Sequence, residues 1–158
     1  MPVTDSQVAA LRAFLVHDAV GMTQLAAQLG NAGMPGYQYL AEAALLVAAR
    51  QRFAPQYTGA DLVRFVAATR ASRLADGDEY DFDPLAGEDV LHWAVGQDTV
   101  RTLDPGERFR AVIALLDAFV ESESPSAEDV DGLLAQARAV ASRWMTNGQL
   151  APWTERTL

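Results

Sequence analysis

The sequence predicts an all-α protein. Three observations carry that prediction. Apolar residues recur at three- and four-residue spacing nearly throughout, no segment alternates as a half-buried strand does, and helix-start signals recur along the chain. The expected form is a single domain over residues 1–148, with six to seven helices in a bundle or an irregular array. Residues 149–158 are expected to be a C-terminal tail.

The first helix is announced by Thr4 and Gln7, the two members of a capping box. Val8, Leu11, Leu15 and Ala19 follow on one face. Gly21 is a candidate kink or stop, after which Met22, Leu25 and Leu29 continue the helix or form a short second one. The run NAGMPG at residues 31–36 predicts a break, because proline and two glycines rarely meet inside a helix. The next helix turns Tyr37, Leu40, Ala44 and Val47 inward and stops before Pro55. Thr58 then caps a helix whose buried side is Leu62, Phe65 and Val66.

Asp83-Pro84 and Asp104-Pro105 are helix starts of one design. Aspartate accepts the free amide hydrogens, and proline occupies the first turn, where a missing N–H costs nothing. Their 21-residue spacing hints at a helical repeat. The second start leads into Phe109, Val112, Ile113, Leu116, Phe119 and Val120, a stripe that predicts a nearly inaccessible Leu116. Ser126 caps the last helix, in which Val130, Leu133, Leu134, Ala137, Val140, Ala141 and Trp144 share one stripe and Asn147-Gly148 marks the end.

Composition bounds the function. A length of 158 residues, half of them apolar, suffices for a core without staples. The absence of cysteine removes disulfides, thiolate metal sites and cysteine nucleophiles together. The first residues lack the basic start and apolar run of a signal peptide, and no run approaches the roughly 20 apolar residues of a membrane span. A soluble, cytoplasmic protein with no membrane contact is expected.

All twelve basic residues are arginine, and the net charge of −9 is unevenly spread. Residues 50–75 carry five arginines against Asp61, a net +4, whereas residues 76–131 carry three against sixteen acids, a net −13. A basic segment therefore runs straight into an acidic one. The boundary is DGDEYDFDPLAGED at residues 76–89, with seven carboxylates in fourteen positions.

That stretch does not fit a calcium loop, which needs oxygen ligands at positions one, three and five, glycine at six and glutamate at twelve. Counted from Asp76, those last positions fall on Asp81 and Gly87; counted from Asp78, positions three and five are Tyr80 and Phe82. Two readings remain. The stretch is a solvated connector ending in the Asp83 cap, with Tyr80 or Phe82 tucked onto the core. Otherwise it is a docking surface in which Asp76, Asp78, Glu79 and Asp81 attract a basic partner and Tyr80 and Phe82 make contact. In either case Arg64, Arg70 and Arg73 are candidate ion-pair partners for its acids; they otherwise form an anion or acidic-partner site.

Other chemistries find less support. His92 follows Glu88 by one helical turn, but a helical metal site needs three or four ligands and the spacing does not recur. His17 and Asp18 point about 100° apart on a helix and make no dyad. No nucleophile elbow and no phosphate loop is present, and no cofactor is expected. MTQLAAQLG at residues 22–30 resembles the start of a helix-turn-helix, but the connection after it is too long. Glu42 would stand where phosphate contacts are needed, and the acidic balance argues against nucleic acid.

The leading expectation is a non-catalytic helical protein that acts by binding another protein, with Tyr80, Phe82 and Trp153 as surface aromatics. Association of copies into a homo-oligomer is compatible with it. The alternative is a small-molecule binder or enzyme with a pocket near Tyr37, Tyr39, His92 and Trp93.

Overall fold

The computed structural model describes residues 2–53, 56–77, 81–97 and 103–147. Among these residues there are six α-helices and no strand. They are α1 (Asp5–Leu15), α2 (Ala19–Phe53), α3 (Gly59–Ala75), α4 (Pro84–Ala94), α5 (Pro105–Glu123) and α6 (Ala127–Thr146). The all-α expectation therefore holds. The chain divides into two compact units, residues 1–44 with 123–158 and residues 45–122.

In the first unit the Thr4 box forms as expected. Thr4 Oγ1 accepts from Gln7 N at 3.3 Å, and Thr4 N donates to Gln7 Oε1 at 2.9 Å. The other end of the same side chain, Gln7 Nε2, donates to the Gly33 carbonyl at 2.9 Å. Helix α1 ends earlier than its apolar pattern suggests. His17 adopts a left-handed φ of 57°, its N–H reaches Phe14 O, and the N–H of Asp18 reaches Ala13 O. These paired bonds are a helix-terminating Schellman motif. Ala19 consequently begins α2 and is exposed, where the pattern had placed it on the buried face of α1.

The expected break at residues 31–36 is also corrected. That run is helical, and the interruption falls one residue earlier at Gly30, with φ 56° and ψ −172°. Only glycine occupies this region comfortably, so the bend is absorbed there and the helix restarts. Pro35 then lies about one turn into the new piece, where it forfeits a single amide bond. The same helical run leaves no turn for a helix-turn-helix, and Glu42, which such a motif would place among phosphate contacts, is buried. Leu40, Ala41, Ala43 and Ala44 complete this stretch of the core.

Helix α1 packs against α6, which opens on a reciprocal box between Ser126 and Asp129. Val130, Leu134, Ala137 and Ala141 form its buried stripe. Arg138 ties the two helices at the surface, donating to Asp5 Oδ1 at 2.7 Å and to the Val3 carbonyl at 3.0 Å.

The second unit takes Leu45, Ala49 and Phe53 from α2 into its core with α3, α4 and α5. Leu115 and Leu116 of α5 are fully buried. Phe53 meets Phe65 and Phe119 edge-on at 5.9 Å each, and Phe65 stacks on Phe119 at 4.2 Å. Such pairs add about 0.5–1.5 kcal/mol beyond simple burial. Both Asp-Pro starts act as designed: Asp83 accepts from Leu85 N, and Asp104 accepts from Gly106 N and Glu107 N. The helices they open have 11 and 19 residues, so the shared start is a local cap and not a repeat.

Candidate functional site

The basic-to-acidic boundary is built by α3, the connector after it, and α4. Thr58 and Asp61 close a capping box on α3, and the hydrogen bonds from Thr58, with Arg64 beside it, hold the Asp61 carboxyl below its ordinary pKa. The inward side of the helix is Leu62, Val66 and Thr69. Asp76 caps its C-terminal end and faces solvent, and Gly77 follows with φ +74°.

Of the seven carboxylates in the acidic stretch, Asp81 turns back onto α3. Arg70 Nη2 donates to Asp81 Oδ2 at 2.6 Å and Arg70 Nε to Asp81 Oδ1 at 3.2 Å, a two-pronged guanidinium–carboxylate pair. Asp81 Oδ1 also accepts from Phe82 N at 2.8 Å. These bonds, with the Arg70 contact the largest cause, lower the Asp81 pKa, and Arg73 adds to the effect. The same pairing raises the pKa of Arg70.

Fixing Asp81 delivers the next residue to the core. Phe82 is 4% exposed, packed where α3 meets α4. A Cβ placed on Gly87 would stand 2.7 Å from Phe82 Cε2 and 3.2 Å from Val66 Cγ1, so glycine is what lets the ring fit beneath α4. Phe82 is thus tucked onto the core, as the connector reading expects, and is not the surface aromatic of the docking reading. An aromatic two residues before a helix start reaches the gap between that helix and its neighbour. Its hydrophobic transfer outweighs the cost of ordering a ring with two rotatable bonds. Asp78, Glu79 and Tyr80 lie outside the described residues, as does Trp153.

The arginines divide by position. Arg64 is highly exposed and pairs with Asp61 one turn earlier at 3.2 Å. Arg70 holds Asp81, and Arg73 is half-buried. The internal pairing of the arginines with the connector is thus realised at Arg70.

What the sequence reading passed over is the other side of α3. Ala60, Val63, Ala67, Ala71 and Leu74 are all exposed, Val63 by 45% and Leu74 by 60%. At about 100° per residue these five fall within roughly 80° of the helix circumference, well away from the inward stripe. Arg64 and Arg70 border this strip, one on each side. Helix α3 is therefore apolar on two faces, one packed and one open to solvent. The signal was present in the three- and four-residue spacing of 60, 63, 67, 71 and 74, but the stripe through Leu62, Phe65 and Val66 satisfied the periodicity first.

The residues of the alternative pocket lie in different units, Tyr37 and Tyr39 in the first and His92 and Trp93 in the second. Burial pushes the Tyr37 hydroxyl up to about 12 and raises that of Tyr39 as well. His92 Nδ1 is hydrogen-bonded to the side-chain oxygen of Gln97. The Trp93 ring is covered by Arg108, whose guanidinium carbon lies 4.8 Å from the ring centre, a cation–π contact of a buried arginine. Asp89, also buried, sits one turn before Trp93 on the same face of α4. Arg50 closes the end of that helix by donating to the Ala94 carbonyl at 3.0 Å. Arg108 and Arg50 thus tie α4 to α5 and to α2.

Among the described residues no helix is long and apolar enough to cross a membrane. No protein-family model, curated protein or solved structure matches the chain.

Proposed function

We propose that this chain is a non-catalytic helical protein that works by binding protein, and that the outer face of α3 is the surface it uses. The observation that carries the reading is the double apolar character of α3, with Val63 and Leu74 open to solvent between alanines. A helix covered on one side only gains nothing within its own unit from a second apolar strip. Contact with another surface recovers that transfer free energy, at about 25 cal/mol per Å². A cytoplasmic, membrane-free setting suits the reading.

Asp81 is engaged by Arg70 and Phe82 is packed in the core, so the connector orients α3 against α4. Asp76 remains exposed and available for long-range attraction.

A photo-crosslinking residue at position 67 tests the proposal, with one at position 72, on a different side of α3, as the control. Expressed in the native host, the first should give a protein adduct and the second should not. Equal or absent adduct formation at the two positions would reject the α3 surface.

A further inference from the structure

We infer that the protein seated on α3 is a second copy of this chain, with the two α3 helices antiparallel and the two-fold axis passing Ala67. The inference rests on the reading of α3 as a docking face and identifies its occupant. Three features of the helix carry it.

The first is self-complementarity of size. In an antiparallel pair centred on residue 67, positions whose numbers are equally spaced about 67 face each other. Val63 then lies opposite Ala71 of the other copy, Leu74 opposite Ala60, and Ala67 opposite itself. Each large exposed side chain meets an alanine, and each alanine but the central one meets a large side chain. A two-fold interface requires this arrangement, since residue i must fit residue j while j fits i. The register follows from the spacing of the strip alone.

The second feature is charge. The strip itself carries no ionisable group, and the arginines on its two borders already hold carboxylates of their own chain. Arg64 holds Asp61, and Arg70 holds Asp81. A strongly acidic or basic partner would find little to pair with. Two copies of an acidic chain repel overall, and the α3 strip adds little to that repulsion because Arg64 and Arg70 on its borders are paired within their own chain.

The third is close approach. With alanine at the centre, two helices can lie about 9 Å apart, and each Cα cylinder has a radius of about 2.3 Å. The Cα atoms at position 67 then stand about 4–5 Å apart. A single pair of 17-residue helices is a small contact beside the roughly 1,200–2,000 Å² of a standard stable interface, so the dimer is expected to form reversibly as concentration rises.

The absence of cysteine makes the test clean. Sedimentation of the full chain across a concentration series should show mass rising from monomer toward dimer. Ala67→Glu should hold it at monomer mass with unchanged helical circular dichroism, since Ala67 is exposed. Under mild oxidation Ala67→Cys should form a disulfide-linked dimer at least tenfold faster than Ser72→Cys, because only position 67 brings the two Cα atoms within disulfide range. A chain that is monomeric throughout overturns the inference, as does a dimer that Ala67→Glu leaves intact or equal oxidation rates at the two positions. If the chain is monomeric yet position 67 still crosslinks a different protein, the occupant is wrong and the α3 surface stands. If neither copy nor other protein is captured there, both fall together.

Discussion

Arg70 grips Asp81 through Nη2 and Nε, at 2.6 and 3.2 Å, and thereby folds the acidic connector back onto the helix it follows. The pH dependence of this pair has a definite sign. The Asp81 pKa is lowered from 3.8 in the folded chain, so its contribution is fully present above that unfolded value and is lost as pH falls below it. The melting temperature of Asp81→Asn should therefore lie below wild type at neutral pH and converge with it in acid. Both side chains are about one-third exposed, so the difference should be small and should shrink in salt. A gap that persists unchanged to the most acidic pH would show that the carboxylate charge is not what matters.

Phe82 and Gly87 make the next expectation. Gly87→Ala drives a methyl group into the Phe82 ring and should cost about 1–3 kcal/mol in urea unfolding, the usual range for overpacking. Gly132→Ala is the control, because a Cβ there meets nothing within 4 Å. Glycine is disfavoured in a helix interior, so that change should stabilise by up to about 1 kcal/mol. Equal effects at the two glycines would mean that the ring does not occupy the space beneath α4.

Gln7 serves two backbone groups, accepting from Thr4 N and donating to the Gly33 carbonyl. Gln7→Ala should cost about 1 kcal/mol or more by leaving these partly buried groups without that partner. Gly36→Ala should act through the same side chain, since its Cβ would stand 2.3 Å from Gln7 Nε2. The two substitutions together should therefore cost less than the sum of the singles in a double-mutant cycle. Additivity would separate the two positions.

Leu116 is fully buried within α5. Leu116→Ala should cost about 2–5 kcal/mol through lost transfer free energy and a residual cavity. A loss under about half a kcal/mol, the range of surface changes, would place that face of α5 outside the core.

Local signals were legible wherever the physics is local. Thr4, Thr58, Asp83, Asp104 and Ser126 all cap helices, because a cap needs only a side-chain oxygen and the amides two or three residues onward. The inward stripes of α5 and α6 followed from periodicity, since one apolar stripe has one natural side to bury. Gly30 shows where local rules compete. Proline and two glycines made residues 31–36 the expected break, yet one glycine at an extreme dihedral relieved the strain a residue earlier, and Gln7, from another helix, supplied a donor to Gly33.

The order of the residues is enough to make this protein helical, to start most of its helices and to crowd its middle with charge. Which of the apolar faces of α3 is packed follows only from the assembled helices, because periodicity marks a stripe without naming its neighbour. Tertiary structure alone likewise turned Asp81 toward Arg70 and Phe82 into the core. Those contacts join residues of different elements, and their geometry exists only once α3 and α4 lie against each other.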